Sequence, residues 1–303
     1  MIHSALAPTL RNEQLSSVLR DAEARYVAAN PRSAKLSGEA QGHLPGGNTR
    51  TTVHFSPFPL YIAKGEGSRL TDVDGHSYID FINEYTAGVF GHSNALIAET
   101  ISRTIAQGLN FGAPTEHEVK LSAELRKRFP AMELLRFCNS GTEANLLAMA
   151  TARAVSRKDT IMIFNGAYHG SVFYFSHGPS PLNMPFPVIT STFNDPEKAA
   201  SDIAKHGGKL AAVIVEPMQG GAGALPATPA FIAALRDATE RHGVLLIFDE
   251  VMTGFRLAPG GETQRRPIRP RPAVCSSAMT TAPSAAPCSA RSRARSLVEP
   301  TWG

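Results

Sequence analysis

Two adjacent carboxylates, Asp249 and Glu250, directly follow an uninterrupted apolar run at residues 244–248. A continuous apolar run of this length predicts a strand that is buried on both faces of a parallel sheet. Ligands of open parallel α/β sheets bind at the carboxyl ends of the strands, which is where this pattern puts Asp249. A carboxylate in that position has two common uses, pairing with a cationic cofactor and holding a metal ion.

A second candidate, at residues 139–143, places hydroxyl side chains and a glycine between a predicted strand and a predicted helix. A helix that begins near Thr142 leaves its first backbone N–H groups without intrahelical partners, and these groups attract phosphate together with the helix dipole. Ser140, Gly141 and Thr142 are then the candidate phosphate-binding residues. The same residues fit a simple N-terminal cap with Glu143 in the first turn. Because caps are far commoner than phosphate sites, the motif alone favours the cap.

Two further strand ends carry an aromatic or a polar side chain. Tyr168 and His169 follow the apolar run 160–164, and Glu216 follows the run 211–215. Tyr168 has the shape to stack on a planar ring, and His169 can stack or form a hydrogen bond. A packed loop explains Tyr168 and His169 equally well, and Glu216 alone fits a helix cap or a solvated loop acid.

The four strand ends are more informative together than singly. Parallel strands joined by right-handed crossovers bring their carboxyl ends to one edge of the sheet. A phosphate-binding helix terminus, a stacking aromatic and a buried carboxylate at that edge fit a phosphorylated heteroaromatic cation. Asp249 would keep the ring nitrogen of such a ligand protonated, which makes the ring an electron sink.

Helices and apolar runs alternate from residue 92 onward. The predicted helices are residues 93–107, 116–128, 142–157, 196–206 and 229–242, and the predicted strands are residues 134–138, 160–164, 211–215 and 244–248. This alternation predicts an α/β fold in which a mainly parallel sheet is covered by helices on both faces. Ahead of it, residues 12–42 predict one helix, and the pair Asp74 and Gly75 predicts a hairpin turn.

The net charge of +4 is unevenly distributed. Residues 257–303 contain seven arginines and two glutamates, a net charge of +5, which leaves −1 for residues 1–256. A nearly neutral body gives no support for nucleic acid as a partner. The arginine-rich end alone permits a nucleic-acid or membrane-surface arm, but Trp302 is the single aromatic residue there to stack on a base.

The remaining composition favours a cytoplasmic protein with a sizeable core. Hydrophobic residues make up 43% of the 303 residues. No apolar run reaches the roughly 18 residues of a membrane span, and residues 1–10 lack the pattern of a secretory signal. The three cysteines, an odd number without metal-ligand spacing, favour a reducing compartment.

Four motifs in this order resemble the class III aminotransferases, which are pyridoxal-phosphate enzymes of fold type I. They are residues 140–144 (Ser-Gly-Thr-Glu-Ala), 168–170 (Tyr-His-Gly), 215–217 (Val-Glu-Pro) and 248–256 (Phe-Asp-Glu-Val-Met-Thr-Gly-Phe-Arg). The segments 45–50, 72–75 and 91–92 are most similar to the branch of glutamate-1-semialdehyde 2,1-aminomutases and β-amino-acid aminotransferases. The resemblance covers residues 40–260.

The resemblance implies pyridoxal 5′-phosphate as cofactor and a role for each matched residue. Ser140, Gly141 and Thr142 correspond to the phosphate-binding residues. Tyr168, with His169 beside it, corresponds to the residue that stacks on the pyridine ring, Asp249 pairs with the ring nitrogen, and Val251 packs on the opposite face. Glu216 supports the side of the ring hydroxyl through its neighbours.

The resemblance also implies substrates and an assembly. Arg50 is the candidate for the substrate carboxylate, since its planar guanidinium suits bidentate pairing. The expected substrates are an amino acid or amino ketone and a keto acid, and the family forms homodimers.

One departure from the family is large. The family forms its Schiff base with a lysine some two to three dozen residues after the Asp-Glu pair, whereas the last lysine here is Lys209. Arginine cannot replace it, because a guanidinium stays protonated. We therefore expect no catalytic residue of this kind and no turnover, and the alternative is a non-catalytic cofactor-binding or regulatory partner of an intact paralogue.

The expected organisation has three parts. Residues 1–84 form an N-terminal helix and β segment, residues 85–260 form an incomplete cofactor-binding domain without the C-terminal small domain, and residues 261–303 form a non-homologous disordered tail. The Ala, Arg, Pro and Ser bias of that tail is typical of a GC-rich gene read out of frame. This frameshift is a hypothesis, and a transcript with no alternative frame encoding a lysine would contradict it.

Overall fold

The computed structural model of the chain describes residues 8–49, 53–175, 180–261, 273–276 and 279–281. By its internal contacts the chain divides into two units, Met1–Asn110 and Phe111–Gly303. The domain boundaries expected near residues 84 and 260 stay predictions. In the part of the chain that the structure describes, no helix combines the length and the apolar character needed to span a membrane.

The first unit begins with two helices, α1 (Pro8–Ala29) and α2 (Pro31–Gln41). The prediction of a single helix over residues 12–42 is therefore wrong. The break lies at Asn30, because the proline ring of Pro31 disfavours helical geometry in the residue before it and removes a backbone donor. Pro31 is instead tolerated at the first position of α2.

The rest of the first unit is a small antiparallel sheet followed by a helix. Its elements are β1 (Ile62–Glu66), β2 (Arg69–Asp72), β3 (Ser77–Ile79) and α3 (Ala95–Ile105). The three strands pair in chain order. The predicted hairpin turn lies between β2 and β3, where Gly75 adopts a φ of 97°, a left-handed conformation that favours glycine. The hairpin prediction is therefore confirmed.

A buried carboxylate holds this hairpin closed. Asp72 accepts hydrogen bonds from the backbone N–H of His76 (2.8 Å), from His76 Nδ1 (2.9 Å) and from the Tyr78 hydroxyl (2.8 Å). Burial works to raise the pKa of Asp72, but the hydrogen bonds from His76 and Tyr78 outweigh it and lower the pKa to about 2. Burial and the bond to Asp72 raise the pKa of Tyr78 to about 12.

The Asp72 contacts give a prediction about acid stability. Since the pKa of Asp72 is lowered on folding, its contribution is complete above the ordinary value of 3.8 and is lost as the pH falls through about 2. Carbon-13 NMR of the Asp72 carboxyl should show titration near pH 2, and Asp72→Ala should reduce hydrogen-exchange protection of β2 and β3 by about 1–3 kcal/mol. Asp21→Ala, at an exposed position of α1, is the matched control and should change nothing. Titration of Asp72 near pH 4 would contradict the prediction.

The second unit alternates strands and helices as the sequence predicts. Its elements are α4 (Glu116–Arg128), β4 (Leu135–Phe137), α5 (Gly141–Ser156), β5 (Thr160–Phe164), β6 (Val188–Ser191), α6 (Pro196–His206), β7 (Leu210–Val215), β8 (Met218–Gln219), β9 (Leu225–Pro226), α7 (Pro229–Arg241), β10 (Leu245–Asp249), β11 (Ala273–Ser276) and β12 (Met279–Thr281). Seven of these strands form one sheet in the order β4-β12-β11-β10-β7-β5-β6.

The prediction of a mainly parallel sheet is confirmed. The pairs β11–β10, β10–β7, β7–β5 and β5–β6 are parallel. Within this seven-stranded sheet, only the described pairs that involve β12 are antiparallel. The parallel pairs place the carboxyl ends of β5, β7 and β10 at the same edge, and Asp249 is the last residue of β10.

Two of these strands lie in the tail that was expected to have no regular structure. β11 pairs with β10 from Leu246 opposite Ala273 to Asp249 opposite Ser276. Backbone pairing requires no particular side chain, so a composition rich in Ala, Arg, Pro and Ser does not prevent it. Without β11, the buried backbone of β10 would lack partners on one side.

The core consists of two apolar layers, one on each face of the sheet. Successive residues of β7 face opposite layers: Val213 packs with Ile203 of α6 and Leu235 of α7, whereas Ile214 packs with Met149 of α5. All of these side chains are buried. Burying each stabilises the fold by about 1.5–3 kcal/mol. The apolar strands are therefore fixed on both faces, which holds their polar carboxyl ends in place.

Candidate cofactor site

The residues that follow β4, β5, β7 and β10 contact one another. A Cβ built on Gly141 would lie 2.8 Å from Val251 Cγ2, so the start of α5 packs against the segment after β10. Ser171, after β5, donates its N–H to Thr142 Oγ1 (3.2 Å). Glu216, after β7, accepts the N–H of Tyr168 (2.9 Å). The structure therefore brings together the predicted site residues at all four strand ends.

The N-terminus of α5 is capped, and the cap leaves backbone N–H donors of the first turn available. Ser140 is the N-cap, and its hydroxyl accepts the N–H of Glu143 at 3.2 Å. Glu143 in turn accepts the N–H of Asn139 at 2.8 Å. The cap accounts for one donor of the first turn. The N–H groups of Gly141 and Thr142 donate to no residue that the structure describes. The cap is present, and it is compatible with the predicted phosphate site, because it leaves two N–H groups and the positive helix end available.

Gly170, in the loop after β5, allows that loop to pack closely against the first turn of α5. Gly170 has a φ of 116°, and a Cβ built on it would lie 2.4 Å from Thr142 Oγ1. The loop after β5 can therefore approach the first turn of α5 this closely only with glycine at this position.

Asp249 is buried and held by three donors. Its Oδ2 lies 2.7 Å from Asn145 Nδ2 and 2.8 Å from His169 Nδ1, and its Oδ1 accepts the N–H of Val251 at 3.1 Å. A carboxylate only accepts, so the His169 proton is assigned to Nδ1. Burial alone lowers the pKa of His169, but the hydrogen bond and charge of Asp249 outweigh burial and raise it above its usual value.

His169 is hydrogen-bonded to Asp249 and is 1% exposed, so it presents no accessible face for stacking. This burial fits the hydrogen-bonding alternative from the sequence and does not fit the stacking one. Asn145 was not among the predicted site residues. Its spacing of three from Thr142 puts both on one face of α5, which is the signal by which the sequence could have identified it.

Glu216 fixes the backbone of the loops after β5 and β7. Its carboxylate accepts the N–H of Tyr168 at 2.9 Å and the N–H of Gly220 at 3.2 Å. Burial raises the pKa of Glu216 above its usual value, His169 opposes this, and the charge of Asp249 adds to it. Gln219, also buried, donates to the carbonyl of Asn165 at 3.0 Å and connects the same two loops. These contacts agree with an indirect role for Glu216.

The two side chains expected to cover the faces of the cofactor ring are more exposed to solvent than the buried polar residues of the site. Tyr168 is 38% exposed and Val251 is 41% exposed, whereas Asp249, His169 and Glu216 are buried. The Tyr168 ring meets the Tyr174 ring edge-on, with centroids 5.4 Å apart and planes at 74°. Arg50, the candidate for the substrate carboxylate, lies outside the described residues.

The residues fit a phosphorylated pyridine ring. Two N–H groups at a helix N-terminus suit a phosphate, and Asp249 Oδ1 keeps one acceptor position beyond the Val251 N–H. In the described part of the chain, no three His, Cys, Asp or Glu side chains are arranged to hold a metal ion. The N–H donors already on Asp249 favour the first of its two common uses, pairing with a ring cation.

Comparison with known proteins gives the family. Residues 51–263 match the family model for class III aminotransferases. This range is more than half of the chain, and the chain belongs to that family.

Two curated relatives represent the two activities of the predicted branch. The β-phenylalanine transaminase of Variovorax paradoxus is 44% identical over 255 residues, which are 84% of this chain and 58% of the relative. The glutamate-1-semialdehyde 2,1-aminomutase 2 of Brevibacillus brevis is 41% identical over 256 residues, 79% of this chain and 60% of the relative. The chain thus spans about three fifths of the length of these relatives.

Solved structures confirm the predicted fold. The β-phenylalanine aminotransferase from Variovorax paradoxus matches with a TM-score of 0.86 and 38% identity, over 95% of this chain and 67% of that one. A transaminase with pyridoxal phosphate bound matches with a TM-score of 0.79 and 31% identity, over 90% of this chain and 68% of that one. The fold is that of fold type I pyridoxal-phosphate-dependent transferases, and these matches support pyridoxal 5′-phosphate as the cofactor.

The close approach at Gly170 gives a prediction. Gly170→Ala adds a Cβ in contact with Thr142 at a left-handed φ, so it should lower the free energy of unfolding by about 1–3 kcal/mol, measured by urea denaturation. Gly208→Ala is the matched control, because nothing lies within 4 Å of its added Cβ. Equal stability of the two variants would show that the loop after β5 does not pack on α5 as described.

Proposed function

We propose that this chain binds pyridoxal 5′-phosphate at the carboxyl edge of its sheet, in the manner of a transaminase or aminomutase. The observation that carries the proposal is the Asn145–Asp249 hydrogen bond of 2.7 Å. This bond joins the buried carboxylate of Asp249 to α5, the helix proposed to bind the phosphate through its first N–H groups. Family membership and the location at the strand ends support the same site.

In this proposal, each group of residues binds a different part of the cofactor. The N–H groups of Gly141 and Thr142, beside the Ser140 cap, hold the phosphate. Asp249 accepts the ring N–H, while Tyr168 and Val251 cover the two faces of the ring. Glu216 keeps Tyr168 in position through the backbone N–H.

When bound, the cofactor supplies the electron sink for moving an amino group between an amino acid or amino ketone and a keto acid. The proposal covers both transaminase and aminomutase chemistry, because both kinds of relative match at similar identity. Arg50 is proposed to bind the substrate carboxylate. A homodimer in the cytoplasm, as expected from the family and the cysteines, remains part of the proposal.

Two lysines adjoin the central strands of the sheet, at the edge opposite to the site. Lys158 precedes β5 and Lys209 precedes β7, so both lie at the amino edge of the sheet, opposite to Asp249. Lys158 is also engaged with the carbonyl of Gly207 at 2.7 Å. Since no lysine follows Lys209, we propose that these 303 residues hold the cofactor without a covalent bond and do not turn over. The second candidate function, a non-catalytic partner of an intact paralogue, rests on this same feature.

The proposal predicts reversible cofactor binding. The full chain should bind pyridoxal 5′-phosphate in an absorbance or fluorescence titration, dialysis should remove it, and borohydride should leave no stoichiometrically labelled peptide. Asp249→Asn should weaken the affinity about tenfold, because it removes the charge that faces the ring N–H. Asp237→Asn, at an exposed position of α7, is the control and should bind like wild type.

Two results would contradict this account. Equal affinities of Asp249→Asn and the wild-type chain would remove Asp249 from the site. A single labelled lysine peptide in stoichiometric yield, or formation of a keto product from β-phenylalanine in the presence of a keto acid, would show that the chain has a catalytic lysine after all.

A further inference from the structure

We propose that Asn145 and His169 are positioning residues that hold one oxygen of Asp249, Oδ2, and thereby present the other oxygen, Oδ1, to the ring nitrogen of the cofactor. This inference rests on the proposed function, since it concerns the same carboxylate. It assigns to a side chain on α5 a role in ring binding, in addition to the role of that helix in phosphate binding.

Asp249 has few acceptor positions left for a ligand. The two oxygens of a carboxylate offer about four lone-pair positions. Asn145 and His169 occupy Oδ2, and the N–H of Val251 occupies one position on Oδ1. The remaining position is therefore on Oδ1. A ring N–H that approaches Asp249 finds a single place to bind, and the orientation of the carboxylate is fixed before it arrives.

Asn145 joins three parts of the site. Its Nδ2 donates to Asp249 Oδ2 at 2.7 Å and also to the carbonyl of His169 at 3.1 Å. Its backbone belongs to α5, one turn after Thr142. The separation between the phosphate-binding N–H groups and the ring-binding carboxylate is therefore set by one helical turn and one side chain that is 1% exposed.

The His169 ring forms a hydrogen bond with Asp249 and with no other residue that the structure describes. Its Nδ1 lies 2.8 Å from Asp249 Oδ2, while Nε2 is buried and has no hydrogen-bond partner among the described residues. Its backbone N–H donates to the carbonyl of Phe173 at 2.9 Å, which fixes the loop that carries it. All of the side-chain hydrogen bonding of His169 that the structure describes is thus directed at Asp249.

A purely structural role makes a different prediction. Asn145 and His169 could serve only to satisfy a buried carboxylate, whose desolvation is costly without donors. In that case their loss would weaken every ligand of the site to the same extent. A positioning role weakens only ligands that use Oδ1, because the phosphate-binding N–H groups belong to the backbone of α5.

The experiment compares two ligands that differ only at the ring nitrogen. One is pyridoxal 5′-phosphate, and the other is the analogue in which a C–H group replaces the ring nitrogen. Both keep the phosphate, but only the first can donate to Asp249 Oδ1. The wild-type chain should prefer the first by about tenfold or more, measured by fluorescence titration or calorimetry.

Three variants of the full chain test the inference. Asn145→Leu keeps the branched shape and the number of side-chain heavy atoms but removes the amide that donates to Asp249 and to the His169 carbonyl. His169→Asn keeps an amide donor where Nδ1 lies, whereas His169→Gln moves the donor to where Nε2 lies. Asn145→Leu and His169→Gln should reduce the preference to within about threefold and leave the affinity for the analogue nearly unchanged, and His169→Asn should retain the wild-type preference. If Asn145→Leu does not fold, the His169 pair alone decides.

The outcomes are distinguishable. An unchanged preference in Asn145→Leu and His169→Gln, or equal losses for both ligands, would overturn this inference and leave the proposed function standing. Failure of the wild-type chain to bind either ligand would overturn the proposed function, and this inference with it.

Discussion

The second unit depends on one constraint, the burial of the Asp249 carboxylate at the end of β10. A carboxylate that is removed from water needs donors, because an unpaired buried charge costs several kcal/mol. Its donors come from α5, from the loop after β5 and from the segment after β10 itself. The chain meets this requirement only if these elements converge, so the polar site and the fold specify one another.

The apolar sheet makes that convergence possible. The central strands are buried on both faces, and their side chains alternate between two layers that pack against helices on opposite sides. A slip of one residue in β10 would exchange the layers and would also turn Asp249 away from Asn145. The geometry of the site therefore depends on the register of the strands, and its chemistry depends on the few polar residues that follow them.

Much of this arrangement could be predicted from the sequence. Helices such as α6 and α7 have clear local signals, since Asp195 and Thr228 are N-caps followed directly by proline. The strands β5, β7 and β10 are continuous apolar runs. The N-cap at Ser140 and the carboxylate at Asp249 were both visible as patterns, and the structure places them at one edge of the sheet.

The rest depends on contacts between residues that are distant in the chain. Asn145 is 104 residues from Asp249, so its spacing from Thr142 places it on the same face of α5 but does not identify Asp249 as its acceptor. The burial of His169 likewise involves a contact with the distant Asp249. β6 was missed because its side chains are only partly buried and do not form an apolar run. The strands β11 and β12 were missed because backbone pairing, not composition, places them.

The measurement that tests the central claim most directly is the nitrogen-15 NMR signal of pyridoxal 5′-phosphate labelled at the ring nitrogen and bound to the full chain. If Asp249 is an ionised carboxylate that accepts the ring N–H, the signal lies in the range of a protonated pyridinium and stays there at pH values at which the free cofactor has lost this proton. A bound ligand whose ring nitrogen titrates as it does in free solution would contradict the account.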